Sequence, residues 1–188
     1  MKYLCITTIG LLINLLPVNG FAPDYRYSGI VLPETKRVEK VEKAKEYNYY
    51  VSDEYIKVLA HHESRNVADT INKFGYIGLF QFGQSAIDHL KLGFTIAEFK
   101  KNPDIFPRSQ QVASLIQYTN YHRWVLRKYI AKYENTYYKG VYITEHGILA
   151  AAHLSGAGGV KRFFNDGYVS KDNNGTTIVK YLELFKNV

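Results

Sequence analysis

From Ser52 onward, apolar residues recur at helical spacing: Tyr55, Val58, Leu59 and His62 fall on one stripe, with Ile56, Ala60 and Glu63 on its neighbour. Ser52 is the predicted N-cap, and Asp53 and Glu54 suit the positive end of the helix dipole. Glu63 then lies on the last turn beside an apolar face, where its carboxylate is expected to be partly buried. The next stretch, "NKFGYIGLFQFG", alternates aromatic and aliphatic residues among three glycines, which predicts a short extended or turn-rich segment. Helical patterns return at Ser85 to Lys91 and Thr95 to Lys101, before Pro103 and Pro107 break the chain. Ser109 is the expected cap of the longest periodic segment. In it Val112, Leu115, Ile116, Thr119, His122, Leu126, Tyr129 and Ile130 form one broad stripe, predicting the central buried helix. A Tyr-rich loop with Gly140 follows, then an Ala-rich helix in "TEHGILAAAHLSG". A short helix in "GVKRFFND" closes near Gly167, and a terminal helix in "TTIVKYLELF" begins at Thr176 or Thr177.

Upstream of Ser52 the pattern differs. Lys2 precedes the apolar run "YLCITTIGLLINLLPV" and small residues follow it, the layout of a signal peptide over residues 1–20. Val18 and Gly20 fit a cut after Gly20, with Ala22 as the alternative. The run is shorter than the ~20 residues a spanning helix needs, so membrane contact is expected only through this segment before cleavage, and the product is expected in the periplasm or outside the cell. Residues 21–50 carry a mixed-charge run with a weak repeat at Val38, Val41 and Ala44, read as a linker or peripheral helix. Residues 51–188 then form one domain, as the length allows. Cys5 is the sole cysteine and lies inside the signal segment, which excludes disulfides, a thiol nucleophile and zinc-thiolate sites from the mature chain. The net charge of +7 attracts polyanions, and for an exported protein these are wall polymers or lipid head groups rather than nucleic acid.

Several candidate chemistries fail on spacing. "HHESR" at 61–65 lacks the second histidine one turn on that a zincin needs, and no P-C-x-x-C follows for a deaminase, so no metal is expected. "SGAGG" at 155–159 follows no strand, which leaves a tight turn between helices rather than a dinucleotide site. No cofactor is expected. The basic aromatic stripe "YHRWVLRKYIAKY" reads as a core helix with a solvated basic face. What remains is a glutamate at a helix end, followed at short distance by a glycine-rich aromatic turn holding Gln81. That layout suits a general acid, because a carboxyl group packed on apolar side chains loses solvation of its charged form. The glycines are expected to let backbone approach a bulky sugar, and Gln81 offers donor and acceptor together.

"ESRNVADTINKFGYIGLFQF" resembles the signature of the soluble lytic transglycosylases and goose-type lysozymes, in which Glu-Ser is followed by Gly-Ala-x-Gly-Leu-Met-Gln. Gly75, Gly78 and Gln81 fall at the family's offsets from Glu63. "AHLSGAGGV", Ala152 to Val160, aligns without a gap on the family's Ala-Tyr-Asn-x-Gly-x-Gly-x-Val, and "TTIVKYLELF" is similar to the closing helix whose tyrosine, here Tyr181, borders the site. Two positions depart: His153-Leu154 stands for Tyr-Asn, and Phe80 for methionine. The resemblance implies a mainly α, lysozyme-like α+β fold with a small β or turn element beside the cleft. It also implies that the substrate is the glycan strand of peptidoglycan, with a secretion or conjugation apparatus as a further candidate partner.

The site that the resemblance implies has Glu63 as the catalytic residue and Ser64, Tyr76, Gly78, Phe80, Gln81, His153 and Tyr181 as substrate-binding residues. Glu63 would act first as acid and then as base, cutting the MurNAc-GlcNAc bond and leaving a 1,6-anhydro end. The alternatives are a hydrolysing muramidase, for which Asp69, Asp88, Glu98 and Asp104 are candidate second carboxylates, and a wall-binding protein without catalysis.

Overall fold

The computed structural model describes residues 51–188; the expected signal segment, its cleavage site and the leader at 21–50 lie outside the described residues. In chain order come α1 (Asp53–Ser64), α2 (Gln84–His89), α3 (Ile96–Lys101), a 3₁₀ turn (Pro103–Ile105) and α4 (Arg108–Tyr133). A hairpin of β1 (Thr136–Tyr138) and β2 (Val141–Ile143) leads to α5 (Glu145–Asp166) and α6 (Ile178–Leu184). The architecture is the mainly helical, lysozyme-like α+β arrangement with one small antiparallel sheet. No helix among the described residues is long and apolar enough to cross a membrane.

The helix ends follow the side-chain chemistry. Ser52 Oγ accepts from the Tyr55 amide at 3.1 Å, and α1 stops where Arg65 enters the left-handed region at φ 56°. Thr95 and Glu98 form a reciprocal capping box on α3, and those hydrogen bonds from Thr95 hold the Glu98 carboxyl below the usual carboxylate range. α4 begins one residue before Ser109, at Arg108. Pro107 occupies the cap position without a side-chain hydrogen bond, its ring already preset for a helix start.

The centre of the fold is α5 rather than the longer α4. Gly147 to Ala152 are buried without interruption, so this half of α5 is enclosed on all sides. α4 instead buries a single stripe that includes Leu115, Thr119, Leu126 and Ile130 and leaves its basic face, with Lys128 and Lys132, in solvent. α5 breaks at Gly156, whose φ of 67° and ψ of 167° separate the two helices that the sequence predicts. The expected Tyr-rich loop is the hairpin: Lys139 and Gly140 both take positive φ, the geometry of a two-residue turn. Tyr138 packs its ring between Tyr133 and Phe163 and donates to the Phe163 and Phe164 carbonyls at the end of α5.

Two of the buried polar residues of α4 differ in how their polar atoms are satisfied. Gln111, 1 % exposed, accepts from the Leu79 amide at 2.6 Å and donates to the Ala68 and Phe106 carbonyls at 2.8 and 2.7 Å. His122 lies edge-on to Tyr118 at 4.3 Å, and among the described residues neither of its ring nitrogens has a hydrogen-bond partner. Burial, assisted by His153 and His89 nearby, pushes its pKa down to about 3.

These two residues give opposite tests of stability. Replacing Gln111 by Leu strands three backbone groups, two of them buried, at a cost of about 1–3 kcal/mol for each buried one, so the urea midpoint at pH 7 should fall sharply; an unchanged midpoint would mean that Gln111 does not hold the loop that follows α1. His122 stays neutral in the folded chain until pH is near 3, whereas the unfolded chain takes up its proton near pH ~6.5. Stability is therefore full above ~6.5 and declines as pH falls toward 3, by at most about 1.4 kcal/mol per pH unit. Urea unfolding at pH 7 and pH 5 should show a smaller loss for His122→Phe than for the parent, and equal losses would contradict a neutral buried His122.

Candidate active site

Glu63 occupies the last turn of α1 with its side chain 15 % exposed, opening on a cleft. The Tyr181 hydroxyl, delivered by α6, donates a short hydrogen bond to Glu63 Oε1. Burial, and then the negative charge of Glu63, push this hydroxyl far above the ordinary tyrosine range, so Tyr181 remains a donor throughout. His153 of α5 lies beside the pair, with Nε2 3.9 Å from Glu63 Oε1. Nε2 is 2.8 Å from the Phe80 carbonyl, and because a carbonyl only accepts, Nε2 carries the hydrogen. Its Nδ1 is buried, with no hydrogen-bond partner among the described residues. Oε1 is thus engaged by α6, and Oε2 is the carboxyl oxygen left for substrate.

Two turns of like construction join the cleft wall. In the first, Asn72 Oδ1 accepts from the Phe74 and Tyr76 amides at 2.8 and 3.1 Å, and Ile71 bridges to Ile77. The second, between α5 and α6, places Asp172, Asn173, Asn174 and Thr176 on the wall. After the first turn the chain folds back from Ile77 to Phe82, where Gln81 sits at φ 49° with Nε2 donating to the Gly78 carbonyl at 2.8 Å. This bridged loop is the small β element beside the cleft. The β1–β2 hairpin contributes nothing to the cleft wall.

Of the residues expected at the site, Glu63, Tyr76, Gln81, His153 and Tyr181 meet in the cleft. Three do not. Ser64 turns its hydroxyl back onto the Ala60 carbonyl at 3.1 Å, as helical serines do. Phe80 is fully buried, edge-on to Phe82, and reaches the site only through the carbonyl that holds His153. Gly78, at φ 74°, makes room for protein rather than for sugar: a Cβ there would stand 2.4 Å from Gln111 Oε1. His153 lines the cleft, yet its Nε2 is committed to Phe80 and its Nδ1 is buried, so its role is to tie α5 to the Gln81 loop.

The residues that sequence reasoning missed are His62, Asn72, Phe74, Leu154 and the second turn. His62 sets its ring edge against Tyr181 at 5.2 Å, and burial lowers its pKa. His61 instead faces outward, its Nε2 3.1 Å from the Arg65 guanidinium. The signal for the second turn was present: "NKFG" and "DNNG" repeat one spacing from Asx to Gly. The candidate second carboxylates Asp69, Asp88, Glu98 and Asp104 all lie away from the cleft.

Comparison with known proteins identifies a family. The family model described as the transglycosylase SLT domain matches residues 40–174, well over half of the chain. Comparisons with curated proteins and with solved structures found no match. An acid-bearing helix end, an amide-bearing turn and a closing tyrosine meet inside the matched region or directly after it, and the chain belongs to the transglycosylase SLT domain family of peptidoglycan-cleaving proteins.

Proposed function

We propose that this protein is a lytic transglycosylase that cuts the β-1,4 bond between N-acetylmuramic acid and N-acetylglucosamine and leaves 1,6-anhydromuramic ends. The observation that carries the reading is the Tyr181 hydroxyl held on Glu63 Oε1 at the floor of a cleft. With that oxygen engaged, protonated Glu63 presents Oε2 to the glycosidic oxygen. Proton transfer accompanies cleavage of the bond to the muramic C1, and the N-acetylglucosamine leaves as an alcohol. The substrate acetamido group or protein dipoles stabilise the positive charge at C1. The Glu63 carboxylate then withdraws the proton of the muramic C6 hydroxyl as O6 bonds to C1, which regenerates the acid and consumes no water.

The cleft suits a sugar polymer. Phe74 and Tyr76, 40 % and 38 % exposed, offer apolar faces to sugar rings, while Gln81 and the asparagines of the two turns offer hydrogen-bonding groups. The expected export signal would place the protein where peptidoglycan lies. Joining of Tyr181 to Glu63 in an open cleft supports catalysis over mere wall binding.

Glu63→Gln keeps the shape of the side chain and accepts the Tyr181 hydrogen bond, but cannot act as the acid. Release of soluble muropeptides from purified peptidoglycan should fall at least about 100-fold, the range of general acid catalysis, while sedimentation with insoluble peptidoglycan persists. A variant that releases muropeptides at the parent rate would remove Glu63 from the mechanism.

A further inference from the structure

The two turns on the cleft wall share one backbone design, and the difference at the residue that closes each, Asn72 against Asp172, is informative. In the first, the Asn72 amide meets the Tyr76 carbonyl at 2.9 Å, the Gly75 amide meets the Asn72 carbonyl at 3.0 Å, and the Gly78 amide meets the Thr70 carbonyl at 2.9 Å. In the second, Asp172 to Thr176, Gly175 to Asp172 and Ile178 to Ser170 repeat these bonds at 2.9, 3.0 and 3.0 Å. Gly75 and Gly175 share φ values of 83° and 81°, and Lys171 bridges to Thr177 as Ile71 does to Ile77. Asp172 Oδ1 accepts from the Asn174 and Thr176 amides at 2.9 and 2.7 Å, the same pair of bonds that Asn72 Oδ1 makes.

A neutral amide oxygen therefore suffices to build this turn, and the negative charge of Asp172 is surplus to it. Among the described residues no lysine or arginine forms an ion pair with Asp172. Asp172 lines the same cleft as Glu63 and Tyr181, and its charge adds to the elevation of the Tyr181 hydroxyl after burial and Glu63. A carboxylate on the wall of the cleft that holds the acid favours positive charge there. Cleavage generates such charge at the muramic C1, one bond from the oxygen that Glu63 protonates.

Resting on the proposed lytic activity, we infer that Asp172 is a further catalytic residue, whose carboxylate faces the scissile muramic residue and stabilises the positive charge that develops at its C1. Asp172 forms no bond and moves no proton; it contributes a fixed negative charge, oriented by two turn amides through Oδ1, that favours the transition state over the ground state.

Asp172→Asn isolates that charge, because Asn72 shows that the same turn forms around an amide. With purified peptidoglycan as substrate, kcat should fall about 100- to 1,000-fold, a loss typical of one removed electrostatic partner. KM should stay within about twofold, and the thermal midpoint should match that of the parent. A kcat equal to the parent's would overturn the inference and leave the lytic activity standing. A lowered thermal midpoint would also overturn it, by showing that the turn itself needs the carboxylate. Loss of hydrolysed ends alone, with anhydro ends unchanged, would make Asp172 a base for water and contradict a purely electrostatic role. A parent protein that releases no muropeptides would overturn the proposed function and this inference with it.

Discussion

The hydrogen bond from Tyr181 to Glu63 joins residues 118 positions apart and fixes where the carboxyl of α1 can point. It forms because α6 is pressed against the enclosed half of α5. Gly147 makes that approach possible: a Cβ there would stand 3.0 Å from the Leu182 carbonyl oxygen. Leu182 and Ile178 bury themselves on the same side, so the hydrophobic packing of α6 sets the position of the tyrosine beside them. A weakly propensive seven-residue helix thereby holds one of the most directional contacts in the molecule, and tertiary packing rather than local preference keeps it there.

The opposite side of the cleft depends on buried polar groups. Gln111 spends its amide on two backbone groups of the loop and on the Phe106 carbonyl before α4, and His153 spends Nε2 on the Phe80 carbonyl. Each of these contacts would be costly to leave half made, so together they specify one loop conformation and one place for Gln81. Apolar packing could bury this loop, but it could not select among its conformations with the same directionality. The two substitutions from the usual motif fit this scheme. Phe80 fills the core and lends only its carbonyl, while His153 uses that carbonyl to tie α5 to the loop.

Much of this was legible in the sequence because the strong signals are local. The stripe through Leu115, Thr119, Leu126 and Ile130, the Ser52 and Thr177 caps and the break near Gly156 all express short-range periodicity or backbone preference. The family motifs located Glu63, Gln81 and Tyr181. Less visible was which helix would be enclosed, since α4 is longer and richer in aromatics, yet its charged face keeps it at the surface. The hairpin escaped notice because strands of three residues carry too little alternation. The purpose of Gly78 depended on Gln111, a polar residue in a helix, two of whose partners lie more than thirty positions away. The second turn was missed for the same reason: its sequence announces a turn, but only packing brings it to Glu63.

The central claim is that Glu63 closes an anhydro ring with the substrate's own C6 hydroxyl, with no water in the reaction. Digestion of purified peptidoglycan in water labelled with heavy oxygen, followed by mass spectrometry of the soluble muropeptides, tests it directly. Ring closure by the C6 hydroxyl gives products one water lighter than hydrolysis products and free of the label. Reducing muramic ends carrying the label would show that water attacks C1 and would contradict it.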